Sequence, residues 1–180
     1  MKRLTSILTL VLIVTALSSC NDTDDVVKIF TKDTKKMTML LEATETNPRE
    51  QDLWDGNAKA KEESVRLRDE PGNYEITFDY EEEPENGRIH GTFKGRAVKT
   101  ILKGKWSANG KNQEMSMMLN ADITPASETD RLAKEFIRAL QGNSNFRIYK
   151  YQGDDQSLSV FYDKENKNVK KFIGFITLKD

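Results

Sequence analysis

The sequence contains one cysteine and one histidine in 180 residues, and these two shortages exclude most of the chemistry a chain of this length can carry. A lone cysteine makes no disulfide within the chain, so the fold has to be held by packing even in an oxidising compartment. A lone histidine, His90, offers no imidazole pair for zinc, whose sites draw three or four ligands from His, Cys and carboxylates at local spacing. His90 falls on the polar side of an alternating stretch, a solvent-facing position. No excess of either charge is present: 28 Lys and Arg stand against 29 Asp and Glu. That balance lacks the concentrated basic surface that nucleic acid requires. Long apolar runs are missing too. The longest, Leu4 to Leu17, is about fourteen residues, where a membrane-spanning helix needs about twenty.

Motifs for catalysis are equally sparse. There is no Gly-x-Ser-x-Gly, and only His90 could act as an imidazole base. Gly104 to Lys111 is one residue too long for a phosphate loop, and Asn112 stands where Ser or Thr must hold magnesium. Asp163 to Asn168 has oxygen ligands but not the Gly and distal Glu of a calcium loop, and reads as a polar turn. Glu81-Glu82-Glu83 precedes a proline and a turn and reads as a solvated loop. No catalytic, cofactor-binding or metal-binding residue is nominated, and the chain is not expected to be an enzyme.

What is present begins at the N-terminus. Lys2 and Arg3, the apolar run and the small residues after it have the layout of a signal peptide over residues 1–19. Leu17-Ser18-Ser19-Cys20 resembles the bacterial lipobox. The resemblance implies that the Cys20 thiol takes a diacylglyceryl group, that cleavage falls before it, and that the new amine is acylated. Several acyl chains make physical sense, because a single chain anchors only marginally. The mature chain would carry 26 basic and 29 acidic residues, a net charge of −3. Residues 20–25 then form a lipidated cysteine and an acidic tether. Asp22, Asp24 and Asp25 resemble the acidic signals that send some lipoproteins to the outer face of the outer membrane; the alternative is a solvated tether.

Residues 26–180 read as a single α+β domain. Tyr74, Ile76, Phe78 and Tyr80 alternate with Glu75, Thr77 and Asp79, the period of a half-buried strand. Asn86-Gly87 predicts a hairpin, and Ile89, Gly91 and Phe93 return opposite His90, Thr92 and Lys94. Val98, Thr100, Leu102, Gly104 and Trp106 share one face of a third strand, with Lys99, Lys103 and Lys105 on the other. A second turn at Asn109-Gly110 leads to a strand holding Met115, Met117 and Leu119, with the methionines as core filling. Leu132, Ala133, Phe136, Ile137 and Leu140 mark one main helix, with Thr124 or Ser127 as its cap and Gly142 as its stop. Strands are expected at Phe146–Tyr151, Leu158–Tyr162 and Phe172–Leu178. Before the meander, Val26–Phe30 and Met37–Leu41 read as short strands, Asn47-Pro48 as a helix start running to Trp54, and Ala58–Glu70 as helix or coil. The sum is a curved antiparallel sheet or partly open barrel with one main helix packed on it.

The lipobox, Asp24-Asp25-Val26, Ile29-Phe30-Thr31, the meander ending at Trp106, the helix Asp130–Leu140 and the stretch from Gly153-Asp154 to Tyr162 together resemble a family of small uncharacterised lipoproteins of gut-type Gram-negative bacteria. The closing segment Gly153 to Val160 is also similar to the end of META domains, small curved sheets with a helix, which implies an envelope role without known catalysis. The expectation is an outer-membrane lipoprotein, tethered through Cys20, that binds a protein or glycan partner at the membrane surface. The competing expectation is a carrier that holds a small ligand or lipid inside the curved sheet. The lysine face at Lys99, Lys103 and Lys105 is either a solvated surface or a patch for anionic headgroups, glycan or an acidic partner.

Overall fold

The structure, a computed structural model, describes residue 31 and residues 33–44, 47–80, 88–109, 114–119, 128–141, 144–150, 156–162 and 169–179. They form β1 (Lys35–Thr44), β2 (Asn47–Glu50), α1 (Ala58–Asp69), β3 (Glu75–Tyr80), β4 (Arg88–Arg96), β5 (Ile101–Asn109), β6 (Glu114–Leu119), α2 (Arg131–Leu140), β7 (Ser144–Lys150), β8 (Gln156–Tyr162) and β9 (Val169–Thr177). This is α+β, a curved antiparallel sheet with two helices. From β3 to β9 each strand pairs with the next in the sequence. β1 then joins the two ends. It pairs with β9 from Lys35 to Thr44 and with β3 through Lys35 and Lys36, so the sheet curves round until its edges meet on one strand. The β1–β3 seam is two residue pairs long, which matches the partly open form expected from the sequence.

The meander follows its hydrophobic pattern. Tyr74, Ile76 and Phe78 are fully buried, and Phe78 faces Phe93 across the ladder with ring centroids 5.8 Å apart. Tyr80, at the strand end, is exposed instead. Leu102, Trp106 and Ala108 point inward from β5, while Lys103 and Lys105 point outward. Trp106 needs a partner for its indole N–H when buried. It donates to the Asp79 carbonyl at 3.0 Å and the Thr92 carbonyl at 3.1 Å. Gly91, opposite Trp106 on β4, is required here: a Cβ would lie 1.9 Å from the Asp79 carbonyl oxygen.

α2 supplies the other half of the core. Leu132, Ala133, Phe136, Ile137, Ala139 and Leu140 are buried, and the Phe136 ring sits 5.7 Å from Tyr74 and 6.4 Å from Phe175 of β9. A ten-residue helix is marginal alone. Full burial of Phe136, Ile137 and Leu140, at about 1.5–3 kcal/mol each, holds it in place.

Several local expectations are corrected. The cap of α2 is Asp130, not Thr124 or Ser127, because its carboxylate accepts from the Ala133 N–H. α2 ends on Gln141 as its C-cap, and Gly142, the expected stop, follows it outside the described residues. Residues 47–50 form β2, not a helix: Leu41↔Glu50 through Thr44↔Asn47 pair antiparallel, and a proline is tolerated in a strand that pairs on one side only. The Met37–Leu41 strand extends to ten residues as β1, with a register shift between Met37 and Met39. Ala58–Asp69 is a second helix, capped by Asn57, whose side chain accepts from the Ala60 N–H at 3.1 Å. Asn109 ends β5 opposite Glu114, so Asn109-Gly110 is not the central pair of a two-residue turn. The Asn86-Gly87 turn, Val26–Phe30 and the Asp163–Asn168 loop lie outside the described residues.

Candidate functional site

Three side-chain constellations stand out. The first joins both helices to the sheet. Asp130 caps α2, accepting from the Ala133 N–H at 2.8 Å, and the same Oδ2 accepts from the Tyr74 hydroxyl at 2.7 Å. Its Oδ1 accepts from the Ser64 hydroxyl of α1, and Ser64 in turn accepts from the Trp54 indole N–H at 2.9 Å. Tyr74 and Ser64 are almost wholly buried. Burial first, then the bond to Asp130 and the negative charges of Asp130 and Glu128, push the Tyr74 phenol far above its ordinary range. It is therefore a permanent donor. Tyr74 also holds a left-handed backbone at φ 55°, with its N–H bonded to the Ala97 carbonyl and its carbonyl accepting from Met37. Ser64 is 1% exposed and its hydroxyl is bonded to both Trp54 and Asp130, so the arrangement clasps α1 and α2 to the sheet.

The second constellation is Glu128, 1% exposed. Its Oε2 accepts from the Lys99 N–H at 2.9 Å, the Thr100 N–H at 3.1 Å and the Thr100 hydroxyl at 3.1 Å. Buried backbone donors in a tight connection need acceptors, and this one carboxylate serves two successive N–H groups of the β4–β5 connection, while the Ala97 N–H bonds to the Thr100 carbonyl. Sequence reading passed over both acids. The run Glu128-Thr129-Asp130 before an apolar period is the available signal for a helix start, but nothing local marks Tyr74 and Ser64 as partners.

The third is the outer face of β4 and β5. Lys94 stands directly opposite Lys103, with Lys105 diagonal to Lys94 and Arg96 diagonal to Lys103, and all four are exposed. Like charges directly opposite are unfavourable on the scale of a cross-strand pair, roughly 0.2–1 kcal/mol. Lys99, at the turn, donates to the Thr129 hydroxyl at 3.2 Å. His90 is exposed.

A crevice bounded by Thr38, Gln51, Trp54, Arg68 and Leu132 has a cavity volume of about 10 Å³, the space of one water. Among the described residues no three of His, Cys, Asp and Glu gather as metal ligands, and no described helix is long and apolar enough to cross a membrane. Cys20, Asp22, Asp24 and Asp25 lie outside the described residues. The first described residue, Thr31, bridges Phe78 of β3.

Fold and constellations together define a small α+β domain, a curved antiparallel sheet packed by one amphipathic helix and tied together by the carboxylates of Glu128 and Asp130. Residues 21–177 match a family described as a domain of unknown function, DUF4847, and the chain belongs to that family. A solved structure similar to it is a DUF4847 family protein from Bacteroides vulgatus ATCC 8482. That protein is 22% identical, with a TM-score of 0.52, over 86% of this chain and 99% of that one. At that identity the likeness is one of fold. No curated protein matches the sequence.

Proposed function

We propose that the chain is an outer-membrane lipoprotein of a gut-type Gram-negative cell, held by acyl groups on Cys20, that works without catalysis by binding a protein or glycan partner at the membrane surface. One observation carries the reading: the family match begins at Asn21, one residue after the lipobox cysteine. Two unrelated signals, a processing motif and the start of the shared domain, agree on the same boundary. Surface recognition is favoured over the carrier reading by the packing of α2, whose Phe136, Ile137 and Leu140 are fully buried, with the Phe136 ring against Tyr74 of the meander and Phe175 of β9. The META-like reading rests on the segment from Gly153 to Val160. Gln156–Tyr162 forms β8, an inner strand paired with β7 on one side and β9 on the other.

The test is Cys20→Ala in a bacterial host that processes lipoproteins. Metabolic labelling with a clickable fatty acid should mark the wild-type protein in the membrane fraction and leave the variant unlabelled and released. A variant that still takes label and stays in the membrane would remove the anchor from the account.

A further inference from the structure

The cations of β4 and β5 are arranged unlike the charges on the rest of the sheet. Elsewhere, acids and bases face each other across the ladder: Glu42 opposite Arg49, and Lys36 opposite Glu75. Both close as ion pairs, at 2.8 and 3.4 Å. Arg96, at the end of β4, stands opposite Glu75, whose carboxylate is taken by Lys36 and the Gly72 N–H. On β4–β5 the rule is broken, with Lys94 opposite Lys103 and two more cations on the diagonals. Lys94 reaches Asp79 only at 3.9 Å. Among the described residues no acid lies within ion-pair distance of Arg96, Lys103 or Lys105. Ile101, opposite Arg96 on the same face, is 54% exposed, more than any other large apolar side chain described. A sheet that pairs charges elsewhere but stacks lysines here has a surface built for an anionic layer.

The path of the chain favours one such layer. Thr31 bridges Phe78, Phe78 pairs with Phe93, and Phe93 with Gly104, so the N-terminal segment joins the fold one strand away from β4, level with the lysines. At a strand spacing of about 4.8 Å, β4 and β5 lie about 10 and 15 Å from Thr31. Cys20 is eleven residues earlier, a reach of at most about 40 Å. We propose that the face formed by Lys94, Arg96, Lys103 and Lys105, with Ile101 at its margin, docks on the anionic phosphate headgroups of the bilayer in which the chain is anchored. The proposal rests on the Cys20 reading for its geometry, and it names a surface that the anchor alone does not supply. The mature chain is net acidic, so the attraction is local, set by segregation of charge and not by its total.

The test uses the mature chain from residue 20 with Cys20→Ser, which carries no acyl group, and sedimentation with vesicles. Binding is expected to equimolar phosphatidylcholine–phosphatidylglycerol and not to phosphatidylcholine alone, and it should fall steeply as salt rises. Lys94→Gln/Lys103→Gln/Lys105→Gln should weaken binding about 100-fold, at roughly fivefold per basic residue, while Lys59→Gln/Lys134→Gln on the helices changes nothing. Lys103→Glu separates binding from folding. It puts an acid opposite Lys94, so the melting temperature should hold or rise while vesicle binding drops. Inorganic phosphate should displace no more protein than chloride at equal ionic strength. Equal binding to neutral vesicles, equal loss in the helix control, or displacement by dilute phosphate would each overturn the proposal, the last by assigning the face to the free ion. Fatty-acid labelling of the wild type answers separately for the anchor, so the two readings fail independently.

Discussion

Replacing Asp130 by alanine removes three hydrogen-bond acceptances at once, and the structure sets what each is worth. Loss of the cap on Ala133 N–H costs about 1 kcal/mol. The Tyr74 and Ser64 hydroxyls are left buried without their acceptor, at about 1–3 kcal/mol each. The sum is about 5 kcal/mol, a large share of the roughly 5–15 kcal/mol that holds a typical domain. For a chain of this size that is a fall of about 10–20 °C in Tm. Asp130→Asn should cost only about 1 kcal/mol, because the amide keeps an oxygen for the cap and can donate to Ser64. Urea denaturation of the two variants, with Tyr74→Phe as the second arm of a double-mutant cycle, reads the network directly. In the Tyr74→Phe background Asp130→Ala should cost about 1–2 kcal/mol less than in the wild type. A cost near 1 kcal/mol for Asp130→Ala, or strict additivity in the cycle, would mean that Asp130 is a helix cap and nothing more.

Two further outcomes follow from named residues. The unfolded phenol of Tyr74 ionises near pH 10 while the folded one stays protonated well above it. The native state therefore holds the extra proton, and stability should fall as pH rises past about 10, by up to about 1.4 kcal/mol per unit. Tyr74→Phe should unfold with a shallower alkaline slope, and an unchanged slope would refute the assignment. Asp22→Ala/Asp24→Ala/Asp25→Ala should leave lipidation intact but protect the domain from protease added to intact cells. If wild type and variant are equally accessible, the acidic stretch is a tether and not an export signal.

Much of the sheet was legible because its signal is local. Tyr74, Ile76 and Phe78 against Glu75 and Thr77, and Leu132 to Leu140 at helical spacing, each bury one side of one element, and period alone reveals that. α1 gave no such signal, since its only fully buried side chain is Ser64, a polar residue held by Trp54 and Asp130. β2 was misread because Asn47-Pro48 suits a helix start as well as an edge strand; what decides is pairing with residues 41–44. Closure of the sheet through β1 and β9 joins residues more than a hundred positions apart, and the clasp gathers Trp54, Ser64, Tyr74 and Asp130 from four separate stretches. Contacts of that kind leave no mark in a single sequence. The lysine face was visible as a pattern, but the apposition of Lys94 and Lys103 depends on the β4–β5 register.

The central claim is the lipid on Cys20, and the intact mass of the protein purified from membranes tests it most directly. The account predicts a chain that begins at Cys20 and carries a diacylglyceryl group and an N-acyl chain, with all the added mass on the N-terminal peptide. A chain still beginning at Met1, or one beginning near residue 20 with an unmodified cysteine, would contradict it.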